Sequence, residues 1–169
     1  IQWLASEQRK KSHVTPLFWK LSLAGNLLLT IHSLIQVQFH VCIVQSLNAV
    51  LSWRNLDLLR REKSYLRFKG VFFLLASAIV LITTLFILQA YLFCGHLDWI
   101  RTPKMPWSTQ PVEKLSIYWH FLGTFGIVLF ASRFWIQWWR AEKGEQQCLG
   151  RGFWWMSIIG AVTALTYFI

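Results

Sequence analysis

The sequence predicts an all-α fold: a polytopic transmembrane helix bundle of two three-helix repeats, both truncated, joined by a linking transmembrane helix. Three observations predict it. Uncharged apolar blocks long enough to cross a bilayer recur along the chain. Basic residues collect in alternate connections between those blocks. A tryptophan-rich polar phrase near residue 136 repeats the opening of the chain at a constant offset.

Composition excludes an ordinary soluble domain, because hydrophobic residues make up 55% of the 169 positions and charged residues only 14%. The block GVFFLLASAIVLITTLFILQAYLFCG, residues 70–95, holds no charge. As a helix it covers about 37 Å, more than the roughly 30 Å of a hydrocarbon core. The blocks recur, so the pattern is not a leader peptide ahead of a soluble domain. The net charge of +10 does not point to nucleic acid, since the Lys and Arg residues lie in short connections rather than on a basic soluble domain. Cys42, Cys94 and Cys148 form no C-x-x-C pair and imply no disulfide framework.

Taken in order, residues 1–4 read as the end of a helix, followed by spans at 16–38, 41–58, 70–94, 113–139 and from about 152 to Ile169. Lipid offers no partner to an open backbone, so all are expected to be helical. The connection 6–15 carries Arg9, Lys10 and Lys11, and the turn at 39–41 carries no Lys or Arg. The connection 54–69 carries Arg54, Arg60, Arg61, Lys63, Arg67 and Lys69. Residues 95–114 carry Arg101, Lys104 and Lys114 beside Asp98 and Glu113, and 140–151 carry Arg140, Lys143 and Arg151. Twelve basic residues therefore fall on one side and three on the other, and the positive-inside rule makes the first side cytoplasmic. Pro103, Pro106 and Pro111 interrupt the longest outer loop and mark a seam between two halves.

Displaced by 135 residues without gaps, the start of the chain matches its later part. Ile1, Gln2, Trp3 and Glu7 fall on Ile136, Gln137, Trp138 and Glu142, while Phe18, Trp19, Ser22 and Gly25 fall on Phe153, Trp154, Ser157 and Gly160. Polar and Trp identities in register are harder to obtain by chance than apolar ones. The boundaries expected are a first repeat at 1–59 lacking most of its first helix, a linking helix and outer loop at 60–112, and a second repeat at 113–169 lacking its third helix. Membrane repeats of this kind place a site between them.

The phrases IQWLASEQRKKSHVTPLFWKLSLAGNLLLTIHSLIQ and WRNLDLL, with SRFWIQWWRAEKG and GRGFWWMSIIG in the second copy, resemble the lipid A biosynthesis N-terminal domain, itself similar to PQ-loop and SemiSWEET-like bundles. Ala141 of the second copy stands where the first has Ser6, and its loop lacks the RKKS run. A doubled copy with a linking helix resembles the membrane region of chlamydial-type lipid-A-disaccharide synthases. That resemblance implies a bacterial inner-membrane location and a glycosyltransferase domain C-terminal to this chain. It also implies, as partners, membrane lipids and the acylated glucosamine phosphates joined when a UDP-linked diacylglucosamine meets a diacylglucosamine 1-phosphate. The alternative is a SemiSWEET-like transporter of a small solute or lipid.

Candidate substrate-binding residues are Arg133, Gln137, Gln2, Asn48, Asn55 and Arg54. Arg133 and Gln137, at i and i+4, share a helix face near the cytoplasmic boundary. Snorkelling to the headgroups accounts for the arginine; a phosphate or sugar contact is the functional alternative. Gln2 is the first-copy equivalent of Gln137. Arg54, Asn55 and Asp57 read as a helix end and topology signal, with Asp57 seeking a nearby base. Asn48 and Asn55 fall on a similar face and are candidate cavity polars. Glu7 and Glu142 are expected in ion pairs, His120 in an interhelical hydrogen bond, and Gly25, Gly123, Gly126 and Gly160 at close helix approaches. His40, Cys42, Cys94 and His96 lack zinc-site spacing, and no nucleophile–base pair, Walker loop or HExxH is present, so no metal, cofactor or catalytic residue is expected in this segment.

Overall fold

The computed structural model describes residues 15–59, 67–94, 116–143 and 151–168. Five α-helices account for nearly all of them: α1 (Pro16–Ile35), α2 (Phe39–Leu58), α3 (Phe68–Gln89), α4 (Ile117–Glu142) and α5 (Arg151–Phe168). A π-helical turn, Ala90–Cys94, extends α3. No strand occurs among the described residues. Three helical stretches are long and apolar enough to cross a membrane: Pro16–Ile35, Phe68–Leu92 and Ile117–Glu142. The apolar stretch of α5, Gly152–Tyr167, is shorter.

Local chemistry explains where the helices begin and turn. Thr15 holds an extended backbone and its hydroxyl accepts from the Phe18 N–H, while Pro16, lacking an N–H, occupies the first turn. At the other end of α1 the Val37 N–H donates to the Leu34 carbonyl at 3.2 Å and the Gln38 N–H to that of Ser33 at 2.8 Å. This is the Schellman pattern, with Val37 in the left-handed position at φ 57° where glycine is usual. The turn therefore occupies residues 36–38, not 39–41 as the sequence suggests. A β-branched residue disfavours that conformation, so nothing in the local sequence signals the stop.

α2 is the centre of the bundle, packing against α1, α3 and α4, while α5 packs against α4. It is as long as α1 but carries Asn48, Ser52, Arg54, Asn55 and Asp57, all of them buried. The polar helix is thus sheathed by apolar neighbours. Their outward faces expose large side chains such as Leu28, Phe73 and Phe121, as a lipid solvent permits. Trp19, Leu51, Val71, Leu75, Phe134 and Trp138 form the main core, and Cys42, Ile82 and Phe86 a second one. The WW pair of α4 divides, with Trp138 buried and stacked on Phe68 at 5.6 Å between ring centres, and Trp139 half exposed.

α4 and α5 meet through glycines. A Cβ at Gly160 would lie 2.6 Å from the Phe130 backbone nitrogen, and one at Gly126 2.7 Å from that of Ala164. Gly123 admits the Tyr167 ring in the same way, whereas Gly25 has nothing within 4 Å of where its Cβ would be. The expectation of close packing therefore holds at three glycines and fails at Gly25. Gly160→Ala should lower stability by about 1–3 kcal/mol because backbone cannot move aside. Gly25→Ala should be neutral or stabilising by up to about 1 kcal/mol. Thermal unfolding of the two variants in one detergent checks the contrast.

Candidate functional site: a basic crevice between α4 and α5

The Lys and Arg residues among the described helices gather towards one end of the bundle, where α2 and α4 finish and α1, α3 and α5 begin. Two polar constellations lie there, one closed on itself and the other open.

The closed one centres on Arg54, 3% exposed. Its Nε donates to Glu142 Oε1 at 2.7 Å and its Nη2 to Glu142 Oε2 at 3.1 Å, a bidentate pair between α2 and α4. Its Nη1 donates to Asp57 Oδ2 at 3.0 Å, so the base that Asp57 was expected to find is one turn back on its own helix. Trp138 Nε1 donates to Glu142 Oε1 at 2.9 Å. The ion pair expected for Glu142 thus forms with Arg54, not with the basic residues that flank it. Asn55 donates to the Leu51 carbonyl at 2.9 Å and is fully buried. Asn26 of α1 donates to Ser52 Oγ at 3.2 Å, whose hydroxyl donates to the Asn48 carbonyl at 2.7 Å. Asn48 is 2% exposed and its Oδ1 has no partner. Arg54, Asn55 and Asn48 therefore sit in helix interfaces, with the guanidinium of Arg54 committed to protein carboxylates.

The open constellation is a crevice of about 110 Å³ between α4 and α5, lined by Arg133, Ile136, Gln137, Arg140, Gly152, Phe153 and Met156. Arg133 lies two and a half turns before the end of α4, roughly 13 Å along the axis. It does not simply snorkel. Its Nη1 donates to Ser157 Oγ at 3.0 Å, and its guanidinium carbon sits 3.6 Å from the centre of the Phe130 ring. Its Nε is buried without a hydrogen-bond partner, as is Gln137 Oε1, and Gln137 is 3% exposed. The structure brings Arg133 and Gln137 to one crevice, as their i, i+4 spacing implies. Gln2, Glu7 and His96 lie outside the described residues, and the Cys94 side chain is likewise outside them.

The sequence did not mark Arg140 and Met156 as neighbours of this crevice, nor Ser157 as the partner of Arg133. Arg140 reads as a topology signal, and its second role depends on how α5 folds back. At the opposite end, His120 Nδ1 and Tyr167 Oη are hydrogen-bonded at 2.9 Å, the interhelical bond expected of His120. Cys42 Sγ donates to the Thr30 carbonyl at 3.5 Å and so faces α1.

The chain matches the family described as Lipid A Biosynthesis N-terminal domain over residues 1–57 and again over 122–169. The chain belongs to this family. The family's two matched segments carry α1 with most of α2, and most of α4 with α5, leaving α3 between them. Over its whole length the chain is 36% identical to the lipid-A-disaccharide synthase of Chlamydia felis, and it covers 26% of that protein. It is 36% identical to the lipid-A-disaccharide synthase of Chlamydia caviae and 32% identical to that of Chlamydia abortus, again covering 26% of each. No solved structure matches the chain significantly.

Removing the Glu142 charge should be costly, because Arg54 loses its bidentate partner and keeps only Asp57. Glu142→Gln should lower stability by about 1.5–3 kcal/mol. Lys143→Gln, one residue on and exposed, should change it by less than about 0.5 kcal/mol. Chemical unfolding in mixed micelles distinguishes the two.

Proposed function

We propose that this chain is the membrane-embedded part of a lipid-A-disaccharide synthase. In this reading it anchors a C-terminal glycosyltransferase domain at the cytoplasmic face of the bacterial inner membrane and presents acylated glucosamine phosphates to it. The observation that carries the reading is the match to those synthases along the whole chain, at about a quarter of their length. Three membrane-spanning helices and the gathering of cations at one end support it, since basic residues are retained on the cytoplasmic side and attract anionic headgroups. The two family matches support a pair of related helical units with α3 as the linker. Within this scheme Arg133 and Gln137 contact the lipid substrate, and Gln2 is the corresponding residue of the first unit. Arg54, Asn55 and Asn48 hold the helices that frame the contact.

Anchoring raises the effective concentration of an enzyme at its substrate. Deleting residues 1–169 from the parent protein should reduce disaccharide formation from membrane-embedded substrates on the order of a hundredfold. The rate with detergent-dispersed substrates should be retained. Unchanged activity on membranes, with the truncated enzyme still membrane-bound, would remove the anchoring role.

A further inference from the structure

We infer that the outer face of α5, formed by Trp154, Ile158, Ala161 and Leu165, is the seat of a further transmembrane helix, a counterpart of α2 supplied by the polypeptide that follows Ile169. α1 and α5 are equivalent helices. At the offset of 135 they share Phe18 with Phe153, Trp19 with Trp154, Ser22 with Ser157 and Gly25 with Gly160, and both lie within matches to one family. Yet they are covered on opposite faces. On α1, Asn26 donates to Ser52 of α2, and Trp19, 0% exposed, packs with Leu51 of α2 and Phe134 of α4. Leu23 and Thr30 complete that stripe and are half-buried. The corresponding stripe of α5 is Trp154, Ile158, Ala161 and Leu165, and all four are exposed, Trp154 at 40%.

The other face shows the reverse. α4 covers α5 where Gly160 meets the Phe130 backbone and Tyr167 lies buried against Gly123. On α1 the counterpart Gly25 has open space and the counterpart His32 is exposed. Each helix is therefore bare where its equivalent is covered. Bare apolar residues alone would mean little, since lipid solvates them. A separate set of positions is exposed on both helices, including Ala24 with Ile159 and Ile31 with Thr166, and these form the lipid face that the two share. The Trp154 stripe is not among them. Chain order identifies the occupant. α1 passes into α2 through residues 36–38, so the helix that covers α1 is the next one in sequence. The same order puts the cover of α5 directly after it, and the relatives compared above have the length to provide it, this chain covering 26% of each. Ala161 replaces Asn26, so the seat lacks the amide that holds Ser52. The incoming helix thus packs on α5 through apolar contacts, with its closest approach at the small Ala161 side chain.

This seat depends on the repeat and not on the activity proposed above, and its test needs no assay of synthesis. The test is site-specific photo-cross-linking in the full-length protein in its native membrane, with a benzophenone side chain at Ile158 or Leu165 and, as controls, at Ile159 or Thr166. Ile158 and Leu165 should give adducts at monomer mass that map to residues following Ile169. The controls should give lipid adducts alone. Ala161→Trp, which fills the point of closest approach, should abolish the Leu165 cross-link, and Thr166→Trp should leave it. Lipid adducts alone from both Ile158 and Leu165, in protein otherwise unaltered, overturn the inference. Cross-links to a second copy or to another protein overturn it as well, because they assign the face to a different occupant. A Leu165 cross-link that survives Ala161→Trp overturns the placement of the helix on this stripe.

Discussion

Arg54 makes three charged hydrogen bonds inside the bundle, two to Glu142 across 88 residues of chain and one to Asp57. Most of the architecture at that end depends on them. A guanidinium at the end of an apolar bundle must find carboxylates or remain at the headgroup level. By finding Glu142 it fixes α2 against α4 in register, and the bidentate geometry fixes their rotation as well. Glu142 in turn accepts from the Trp138 indole, which orients that ring into the core against Phe68 and Phe72. Such a cluster is weak evidence for added stability, since desolvation offsets much of the Coulomb gain. Its effect is specificity, because a slip of one turn would part Glu142 from Arg54 and leave that carboxylate without its guanidinium while the Arg54–Asp57 pair stayed on α2.

The same constraint explains the order of the helices. In lipid the driving force for burying apolar side chains is absent, so what is sequestered is polarity. Among the described residues α2 holds the densest run of buried polar side chains, and it has neighbours on three sides. α1 and α3 turn their large apolar residues outward. The Asn26–Ser52 bond ties α1 to this polar centre, and α5 is held to α4 by close approach at glycines together with the Arg133–Ser157 and His120–Tyr167 bonds. Two modes of helix association therefore coexist, one by side-chain hydrogen bonding between α1 and α2 and one that adds close backbone approach to such bonds between α4 and α5.

That difference has a consequence for function. Where α4 and α5 approach at Gly126 and Gly160 they are in backbone contact, but towards the basic end their side chains are large and the helices part around a crevice. Arg133 stands where contact gives way to opening, held by Ser157 and the Phe130 ring and left with an unused donor. Arg54 and Arg133 are thus the same residue type at the same end of the bundle with opposite fates. One is neutralised by protein carboxylates, and the other lines a crevice that holds none among its described residues.

Local pattern alone determined the helices, their alternation, the clustering of cations at one end, the repeat, and the shared face of Arg133 and Gln137. Each depends on spacing along a few turns or on the polarity of a block, and those are properties of neighbours in sequence. The tertiary structure decided what depends on partners distant in the chain. It placed the turn at Val37 where no glycine announces it, and gave Arg54 rather than a flanking base to Glu142. It left Gly25 free while pressing Gly160 against Phe130, and it set Arg140 beside Arg133 at one opening. A side chain's chemistry states what partner it needs. Only the packing of helices, fixed by buried charge and by how closely two backbones approach, states which partner it finds and which group is left for a ligand.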